Sequence, residues 1–276
     1  RASSPCEAVS DITLTVLPSS TEVREAVFSE NGVYSGLKPG MTLIDLSGTD
    51  PHCAREILSK AEEKGAVFIG GTIHAGGAPA VVIPQGLFSV VVGGRREKLE
   101  TCIGFLKDLA QTVICLSEPW LPKAFKLAVI VYATANNIIT AEICTWLLAQ
   151  GADPKLFLKL LETTGSQASA SRLEEFMKRN NTHGGALSNS YKDIRQVLTV
   201  AAELGIPLPL TSTANQIQEM GRAQGLTRNN SPAAMGKLYE LLAGVQLDSA
   251  TVSAEKRFAE RKEPRVVYLS PDVDKT

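Results

Sequence analysis

The feature that most constrains the fold is an apolar run, Leu127–Ala141, inside a helical pattern that covers 122–150 and ends at Gly151. At about 1.5 Å per residue such a helix is roughly 40 Å long, which exceeds the width of one ordinary domain. Its part Leu127–Val131 is apolar on every side, so we expect other helices to surround it. A membrane span needs about 20 mostly apolar residues. The run is shorter and contains threonines and asparagines, so the pattern favours a buried helix.

Short apolar runs alternate with helical patterns before this helix. Such alternation is typical of a parallel sheet with helical crossovers, so the sequence predicts a Rossmann-like α/β domain. Ligands of such sheets bind beyond the carboxyl ends of the strands. We therefore expect the loops Pro18–Thr21, Ser47–Thr49 and Gly70–Ala80 to meet at one edge and to hold cofactor and substrate. The predicted strands are Asp11–Leu17, Met41–Asp45, Ala66–Ile69, Leu87–Val92 and Thr112–Leu116.

The chain beyond the long helix is predicted to be helical up to a charged tail that begins at Asp248. We expect this tail to fray, since it carries two prolines and many charges. The predicted organisation is a Rossmann-like domain at 1–118, lacking its beginning, an all-helical domain at 119–247 and a tail at 248–276. The predicted helices after the long one are 154–162, 169–179, 191–204, 210–223 and 231–242.

Composition argues against several classes of protein. The formal net charge is −1 and aromatic residues make up 5%, with no basic stripe, so nucleic acid is not an expected partner. The five cysteines and three histidines are dispersed without metal-ligand spacing, so we expect no metal. Unpaired, scattered cysteines are typical of reduced thiols in a cell interior. The predicted compartment is the cytoplasm, with the mitochondrion as the alternative.

The glycine-rich turn of a dinucleotide-binding fold is not found before Asp11. Such a turn has the pattern GxGxxG, and its amides hold a pyrophosphate at a helix N-terminus. The printed sequence begins with Arg1 rather than Met. If the sheet is a dinucleotide fold, we expect its first unit to lie upstream of Arg1.

Lys126 is the most suggestive chemical residue, because it is the sole charge between Lys123 and Glu142. The positive end of a helix and partial desolvation both disfavour the ammonium form, which suits a proton-transfer group. The alternative is that the side chain extends to a domain edge and has no chemical role.

Two glycine loops and one charge pair are weaker candidates. Ala75-Gly76-Gly77 could let a ligand approach backbone amides or could be a flexible turn. The pair Lys192-Asp193 could face a cleft or form a solvated surface. The loop at His183 is interpreted as structural.

Seven collinear motifs together resemble the β-hydroxyacid dehydrogenases, the family of 3-hydroxyisobutyrate dehydrogenase and tartronate semialdehyde reductase. The spacing from Lys126 to Glu142 and to the helix stop at Gly151 is similar to the interdomain helix of that family. The other matching segments are Leu17–Ser20, Asp45–Pro51, Ile73–Ala80, Val90–Gly94, Lys192–Ile194 and Gly205–Pro209.

The resemblance implies a two-domain enzyme, usually oligomeric, that transfers hydride between NAD or NADP and a small β-hydroxyacid carboxylate. It implies Lys126 as the acid/base. It places Ala75, Gly76, Gly77 and Ile130 at the substrate. It places the following residues at the cofactor: Leu17, Pro18, Ser19, Ser47, Thr49 and Lys192.

Three positions depart from the family pattern. Ala75 stands where the family has a serine, Ile130 where it has an asparagine and Gly48 where it has a threonine. Three hypotheses follow: an NAD(P)-dependent enzyme with an altered acid substrate, a non-catalytic relative that keeps the fold for binding or assembly, and a relative that reduces another unsaturated group such as an imine. The residue that would distinguish NAD from NADP is expected upstream of Arg1.

Overall fold

A computed structural model describes residues 2–75, 82–165, 173–174, 176–177, 185–229 and 231–246, and the backbone of 265–268. Contacts divide the chain into two compact units, with the division inside the long helix between Leu127 and Ala128. We call the first the sheet unit and the second the helical unit. The domain limits expected from the sequence, 1–118, 119–247 and 248–276, remain a prediction.

The sheet unit is built on six strands in the order β1-β2-β3-β4-β5-β6. Neighbouring strands are parallel except for one pair, β3 with β4, which is antiparallel. An α/β sheet followed by a helical domain is the fold class expected from the sequence. The strands are β1 Ile12–Thr15, β2 Thr42–Asp45, β3 Val67–Ala75, β4 Phe88–Gly93, β5 Thr112–Leu116 and β6 Arg265–Tyr268.

The antiparallel pairing corrects two expectations: that all strands are parallel, and that the chain from Gly70 onward is a loop. The register runs from Gly70 opposite Gly93 to Ala75 opposite Phe88, so β3 continues well past the end of β2. Residues 70–75 are therefore strand rather than loop, because β4 supplies backbone partners where β2 has stopped. The carboxyl ends of β1, β2 and β3 consequently share one edge of the sheet, and those of β4, β5 and β6 lie at the opposite edge.

The last strand corrects the expectation that the whole tail frays. Residues Arg265–Tyr268 pair in parallel with Thr112–Cys115 of β5. A run of β-branched and aromatic residues gains backbone hydrogen bonds there that a solvated tail lacks.

Helices cover both faces of the sheet. One core cluster contains Ile69, Val90 and Leu106, and the other contains Val23, Leu43 and Ile57. Side-chain caps fix two of the helix starts: Ser19 accepts from the amide of Thr21, and Asp50 accepts from that of Cys53. The helices of this unit are α1 Ser20–Phe28, α2 Val33–Gly36, α3 Pro51–Glu63 and α4 Arg96–Leu109.

The long helix α5 spans Leu121–Ala149 and leads into the helical unit. Inward-facing residues of α5 such as Ile138, Ala141 and Cys144 pack with the other helices around one core. Tyr239 Oη also donates to Glu142 Oε1 at 2.6 Å, which ties the last helix to α5. The other helices are α6 Pro154–Thr163, α7 Leu187–Glu203, α8 Pro209–Ala223, a 3₁₀ turn Leu226–Arg228 and α9 Ser231–Ala243.

The expectation that other helices surround α5 is wrong for the single chain. Val129, Tyr132, Ile139 and Trp146 are 49%, 59%, 50% and 59% exposed. Their successive spacings of three, seven and seven residues place them on one stripe, away from the residues that face the core. Within the described ranges, α5 is also the one helix long and apolar enough to cross a membrane by length and composition.

Gly70 permits the close approach that starts α5 beside β3. A Cβ atom at this position would lie 1.9 Å from the carbonyl oxygen of Pro119. We expect Gly70→Ala to lower the free energy of unfolding of the sheet unit by about 1–3 kcal/mol, since backbone must move. Urea unfolding followed by Trp120 fluorescence, in a Trp146→Phe background, measures this.

Gly104 supplies the matched control. It lies in α4, and a Cβ atom there would have nothing within 4 Å. Gly104→Ala is expected to leave stability unchanged or to raise it by about 0.5–1 kcal/mol. Equal effects of the two substitutions would contradict the close approach at Gly70.

Candidate active site at the carboxyl ends of β1, β2 and β3

The start of α5 is fixed by a buried ion pair. Lys123 and Asp45 are both 0% exposed, and Lys123 Nζ lies 2.7 Å from Asp45 Oδ2. The same ammonium donates to the backbone carbonyls of Asp45, Ser47 and Gly71 at 3.1, 3.0 and 2.6 Å. Burial lowers the pKa of Lys123, and the Asp45 carboxylate opposes this shift. The first turn of α5 is thereby held on the ends of β2 and β3.

The Asp45 carboxylate extends this network to β1. Its Oδ1 accepts from Thr15 Oγ1 at 2.8 Å and from the amide of Ser47 at 3.2 Å. A buried carboxylate needs such partners, because removal from water is costly unless charge and hydrogen bonds compensate it. One side chain therefore joins two strand ends and the helix that crosses them.

The loops after β1 and β2 contact one another, as expected for the cofactor edge. The amide of Leu17 donates to Ser47 Oγ at 2.8 Å, and the amide of Gly48 donates to the carbonyl of Leu17 at 3.3 Å. Ser20 Oγ also donates to Asp50 Oδ2 at 2.7 Å, which links the starts of α1 and α3. Pro18 and Ser19 lie in the first of these loops.

Thr49 provides an observation on what these loops could hold. Its side chain is 1% exposed, yet its Oγ1 has no hydrogen-bond partner among the described residues. Buried hydroxyls without a partner are uncommon in folded proteins. Two helix N-termini adjoin it, and these favour anionic groups. The donors and acceptors present fit a polar, phosphate-bearing nucleotide.

Lys126 lies one turn into α5, at the end of β3. Its Nζ donates to the carbonyl of Ile73 at 3.1 Å, and the residue is partly buried. Ala75 is the last residue of β3. Gly76 and Gly77 lie outside the described residues, so the expected glycine loop is represented here by Ala75 alone.

His74 lies between Ile73 and Ala75 and was not singled out from the sequence. Its Nε2 is buried and has no partner within the described part of the chain. Burial, with a smaller contribution from the charge of Lys126, lowers the pKa of His74 to about 4. The imidazole is therefore neutral at neutral pH.

Two expected site residues belong to the helical unit. Lys192 forms an ion pair with Asp193 at 3.4 Å, with the lysine side chain 36% and the aspartate 12% exposed. Ile130 is half-buried, one helical turn after Lys126 in α5. The loop at His183, interpreted as structural, falls outside the described ranges.

The sequence analysis missed Lys123 and His74. The sequence contains a signal for Lys123, because Asp45 ends a strand of four buried residues and a buried carboxylate needs a cation nearby. Alternation along β3 contains the signal for the second. Ile69, Ile73 and Ala75 pack on one core, which puts His74 on the other face of the strand.

The thiols are compatible with reduced, unreactive core cysteines. All five are free, and four of them are buried. Burial raises the pKa of Cys53 to about 12 and that of Cys115 to about 11, so both remain protonated. Searching the described ranges finds no group of three or more His, Cys, Asp or Glu that could hold a metal.

Two family models match the chain in series. The model for the NAD binding domain of 6-phosphogluconate dehydrogenase matches residues 1–117. The model for the NAD-binding region of NADP-dependent 3-hydroxyisobutyrate dehydrogenase matches residues 123–239, which include most of α5. The two matches together leave little of the chain outside.

Individual proteins agree with these models. A 2-(hydroxymethyl)glutarate dehydrogenase of Eubacterium barkeri is 27% identical over 87% of this chain and 79% of its own length. A mitochondrial 3-hydroxyisobutyrate dehydrogenase of Mus musculus is 27% identical over 87% and 74%. The fold is similar to that of a 3-hydroxyisobutyrate dehydrogenase of Mycobacterium tuberculosis, with a TM-score of 0.69, 19% identity and coverage of 84% and 80%.

A mostly parallel sheet followed by a helical unit on a long helix is the fold that the chain shares with two-domain 3-hydroxyisobutyrate dehydrogenases. The two family models and the named relatives together support the β-hydroxyacid dehydrogenase family, whose cofactor is NAD or NADP. The resemblance read from the motifs is thereby confirmed at the level of family, fold and cofactor.

The buried pair predicts a large loss of stability when one partner is removed. Lys123→Met leaves the Asp45 carboxylate buried without its cation, and we expect this to cost about 3–5 kcal/mol of unfolding free energy. Chemical denaturation monitored by circular dichroism measures the loss.

A matched lysine controls for the substitution itself. Lys60 forms an exposed pair with Glu63, with the two side chains 46% and 47% exposed. Lys60→Met should change stability by less than about 1 kcal/mol. A Lys123→Met protein as stable as Lys60→Met would refute the structural role of the buried pair.

Proposed function

We propose that this protein is an oxidoreductase that transfers hydride between NAD(P) and a small β-hydroxyacid, with Lys126 as the acid/base. The observation that carries the proposal is the position of Lys126 Nζ, 3.1 Å from the carbonyl oxygen of Ile73, at the sheet edge where the loops after β1 and β2 also end. The names of the relatives, which are dehydrogenases of small hydroxy acids, support the substrate class.

The chemistry required of Lys126 follows from the reaction. The bound nicotinamide supplies or accepts the hydride at carbon. An alcohol that loses hydride must also lose its hydroxyl proton, and Lys126 Nζ takes or returns that proton at the substrate oxygen. The carbonyl of Ile73 accepts one N–H of the ammonium and so orients it. The remaining positive charge stabilises negative charge that develops on oxygen.

The other site residues are assigned by the loops in which they lie. Leu17, Pro18, Ser19, Ser47 and Thr49 hold the cofactor. Their loops are already joined by the hydrogen bond from the Leu17 amide to Ser47 and contain the buried, unpartnered Thr49 hydroxyl group.

The remaining assignments rest on family motifs. Lys192 is assigned to the cofactor, and Ala75, Gly76 and Gly77 are assigned to the substrate carboxylate, which they bind through their backbone. Ile130 borders the substrate with an apolar surface, which favours a substrate with an apolar branch at that side.

A second candidate function is binding or assembly without catalysis. The apolar side chains of Ala75 and Ile130 favour this second candidate, because neither can form a hydrogen bond with a substrate. This candidate keeps the fold and predicts no turnover with any hydroxyacid.

We also propose that the protein is a homo-oligomer in a soluble compartment, the cytoplasm or the mitochondrion. The exposed stripe Val129, Tyr132, Ile139 and Trp146 supports self-association, because soluble proteins seldom leave such a contiguous apolar patch in water. No membrane or nucleic-acid partner is part of the proposal. The match of a dehydrogenase family model across α5 favours assembly over membrane insertion as the use of this stripe.

Lys126→Ala in the full-length protein tests the catalytic assignment. We expect kcat to fall by about 10²–10⁴-fold, the usual contribution of a positioned acid/base. The dissociation constants of NADH and NADPH, measured by fluorescence titration, should change by less than about twofold. Turnover is measured with 3-hydroxyisobutyrate, 2-(hydroxymethyl)glutarate and glycerate.

The results separate the two candidate functions. Lys60→Ala serves as the control and should retain full activity, since Lys60 is exposed on α3. Cofactor binding by the wild-type protein without turnover would favour the non-catalytic candidate. Turnover retained in Lys126→Ala would remove Lys126 from the mechanism, and failure to bind either cofactor would refute the enzyme.

A charge on the exposed stripe tests self-association. Trp146→Glu is expected to shift the sedimentation equilibrium of the protein toward monomer, because a carboxylate in an apolar interface loses its hydration. Leu210→Glu is the control, since Leu210 is 82% exposed on a different helix, α8. A wild-type protein that sediments as a monomer at micromolar concentration would contradict the proposal.

A further inference from the structure

His74 combines three properties that the proposed mechanism does not use. Its Nε2 is buried, has no hydrogen-bond partner among the described residues and belongs to a side chain in electrostatic range of Lys126. Ser89 lies opposite it in β4, but no bond from Ser89 satisfies the nitrogen. A buried polar atom without a partner opposes folding, so each such atom in a native protein needs an explanation, and contact with a ligand is one of them.

The orientation of β3 gives His74 access to the side of the sheet from which α5 begins. Ile73 and Ala75 pack on the opposite core, so His74 shares its face with Gly70. On that face the backbone of Pro119 lies against Gly70 just before α5 begins. Lys126, the second lysine of α5, donates to the residue next to His74. The imidazole and the ammonium therefore belong to one site.

We propose that His74 is a substrate-positioning and specificity residue whose Nε2–H donates to a carboxylate oxygen of the hydroxyacid, while Lys126 acts on its hydroxyl oxygen. The inference rests on the proposed function, because it assigns one part of the same substrate. In a β-hydroxyacid one carbon separates the carboxylate carbon from the carbon that bears the hydroxyl group, so two donors close to each other match it.

The charge state of His74 suits this role. Because burial keeps the imidazole neutral, it donates one hydrogen bond without adding a second cation beside Lys126. A second cation would disfavour the ammonium form of the lysine and disturb proton transfer. A neutral donor instead binds the acid and leaves the proton on Lys126 available for the reaction.

Three substitutions separate a hydrogen bond from the shape of the side chain. His74→Leu keeps most of the volume and removes the donor. His74→Gln places an amide nitrogen near the position of Nε2, whereas His74→Asn places one near Nδ1. We expect His74→Leu and His74→Asn to raise KM for the hydroxyacid by about 10-fold or more, and His74→Gln to restore it. In all three variants kcat should change by less than about threefold.

The effect on stability distinguishes positioning from a structural role. Removal of a buried donor that has no protein partner should leave the urea midpoint of His74→Leu unchanged or raise it. A lowered midpoint with an unchanged KM would assign His74 to structure and would overturn the proposal. If the protein does not turn over a hydroxyacid, the dissociation constant of 3-hydroxyisobutyrate takes the place of KM in this comparison.

Binding is tested without turnover by long-range ¹H–¹⁵N NMR of the imidazole in the full-length protein with NAD bound. The probes are 3-hydroxyisobutyrate, isobutyrate, which keeps the carboxylate but lacks the hydroxyl, and the methyl ester of 3-hydroxyisobutyrate. We expect both acids to shift the Nε2 resonance of His74 and the ester to leave it in place.

The outcomes of the two proposals remain distinguishable. A shift with the acids in a protein that shows no turnover would support the role of His74 and refute the proposed enzyme. Turnover without a shift, or with equal shifts from acid and ester, would overturn the role of His74 and leave the enzyme standing. If none of the probes shifts the Nε2 resonance, the proposed role of His74 is also overturned.

Discussion

The ion pair between Lys123 and Asp45 joins elements that lie far apart in the sequence. Asp45 ends β2 and accepts from Thr15 of β1, while Lys123 also reaches the backbone of β3 at Gly71. Positions three residues apart are neighbours on a helix surface. By fixing the first lysine of α5, the pair fixes where the second, Lys126, meets the end of β3. Local stability and the geometry of the proposed chemistry thus depend on the same contact.

The two lysines differ in what surrounds them. Lys123 is fully buried, and its ammonium is bonded to a carboxylate and three carbonyl oxygens. These four acceptors occupy all of its N–H groups. Lys126 is partly buried, and the partner described for its ammonium is a neutral carbonyl rather than a carboxylate. A lysine that anchors and a lysine that transfers a proton therefore lie one turn apart. The difference arises from burial and from the charge of the acceptor.

Much of the fold could be predicted from the sequence, because strand and helix patterns and helix stops are local. The five strands before α5 and the extent of α5 itself follow from such patterns. The antiparallel direction of β4 could not be predicted in this way, since a buried strand has the same apolar pattern in either direction. Lys126 stood out as an isolated charge. The roles of Lys123 and His74 become clear from the three-dimensional structure, through the ion pair with Asp45 and the unpartnered Nε2. The residues of the exposed stripe on α5 could not be predicted, because a helix apolar on all sides does not reveal which side its own chain covers.

The strand Arg265–Tyr268 returns to the sheet after the helical unit has been completed. In topological terms the helical unit is an insertion between two adjacent strands of one sheet. Such an insertion has two covalent attachments to its host, so its ends cannot diffuse independently and the loop entropy of the host depends on it. Cutting the chain after α9 would convert an insertion into a terminal appendage and free the edge of β5. The strand Arg265–Tyr268, which lies in a tail expected to fray, thus gives the helical unit its second covalent attachment to the sheet unit.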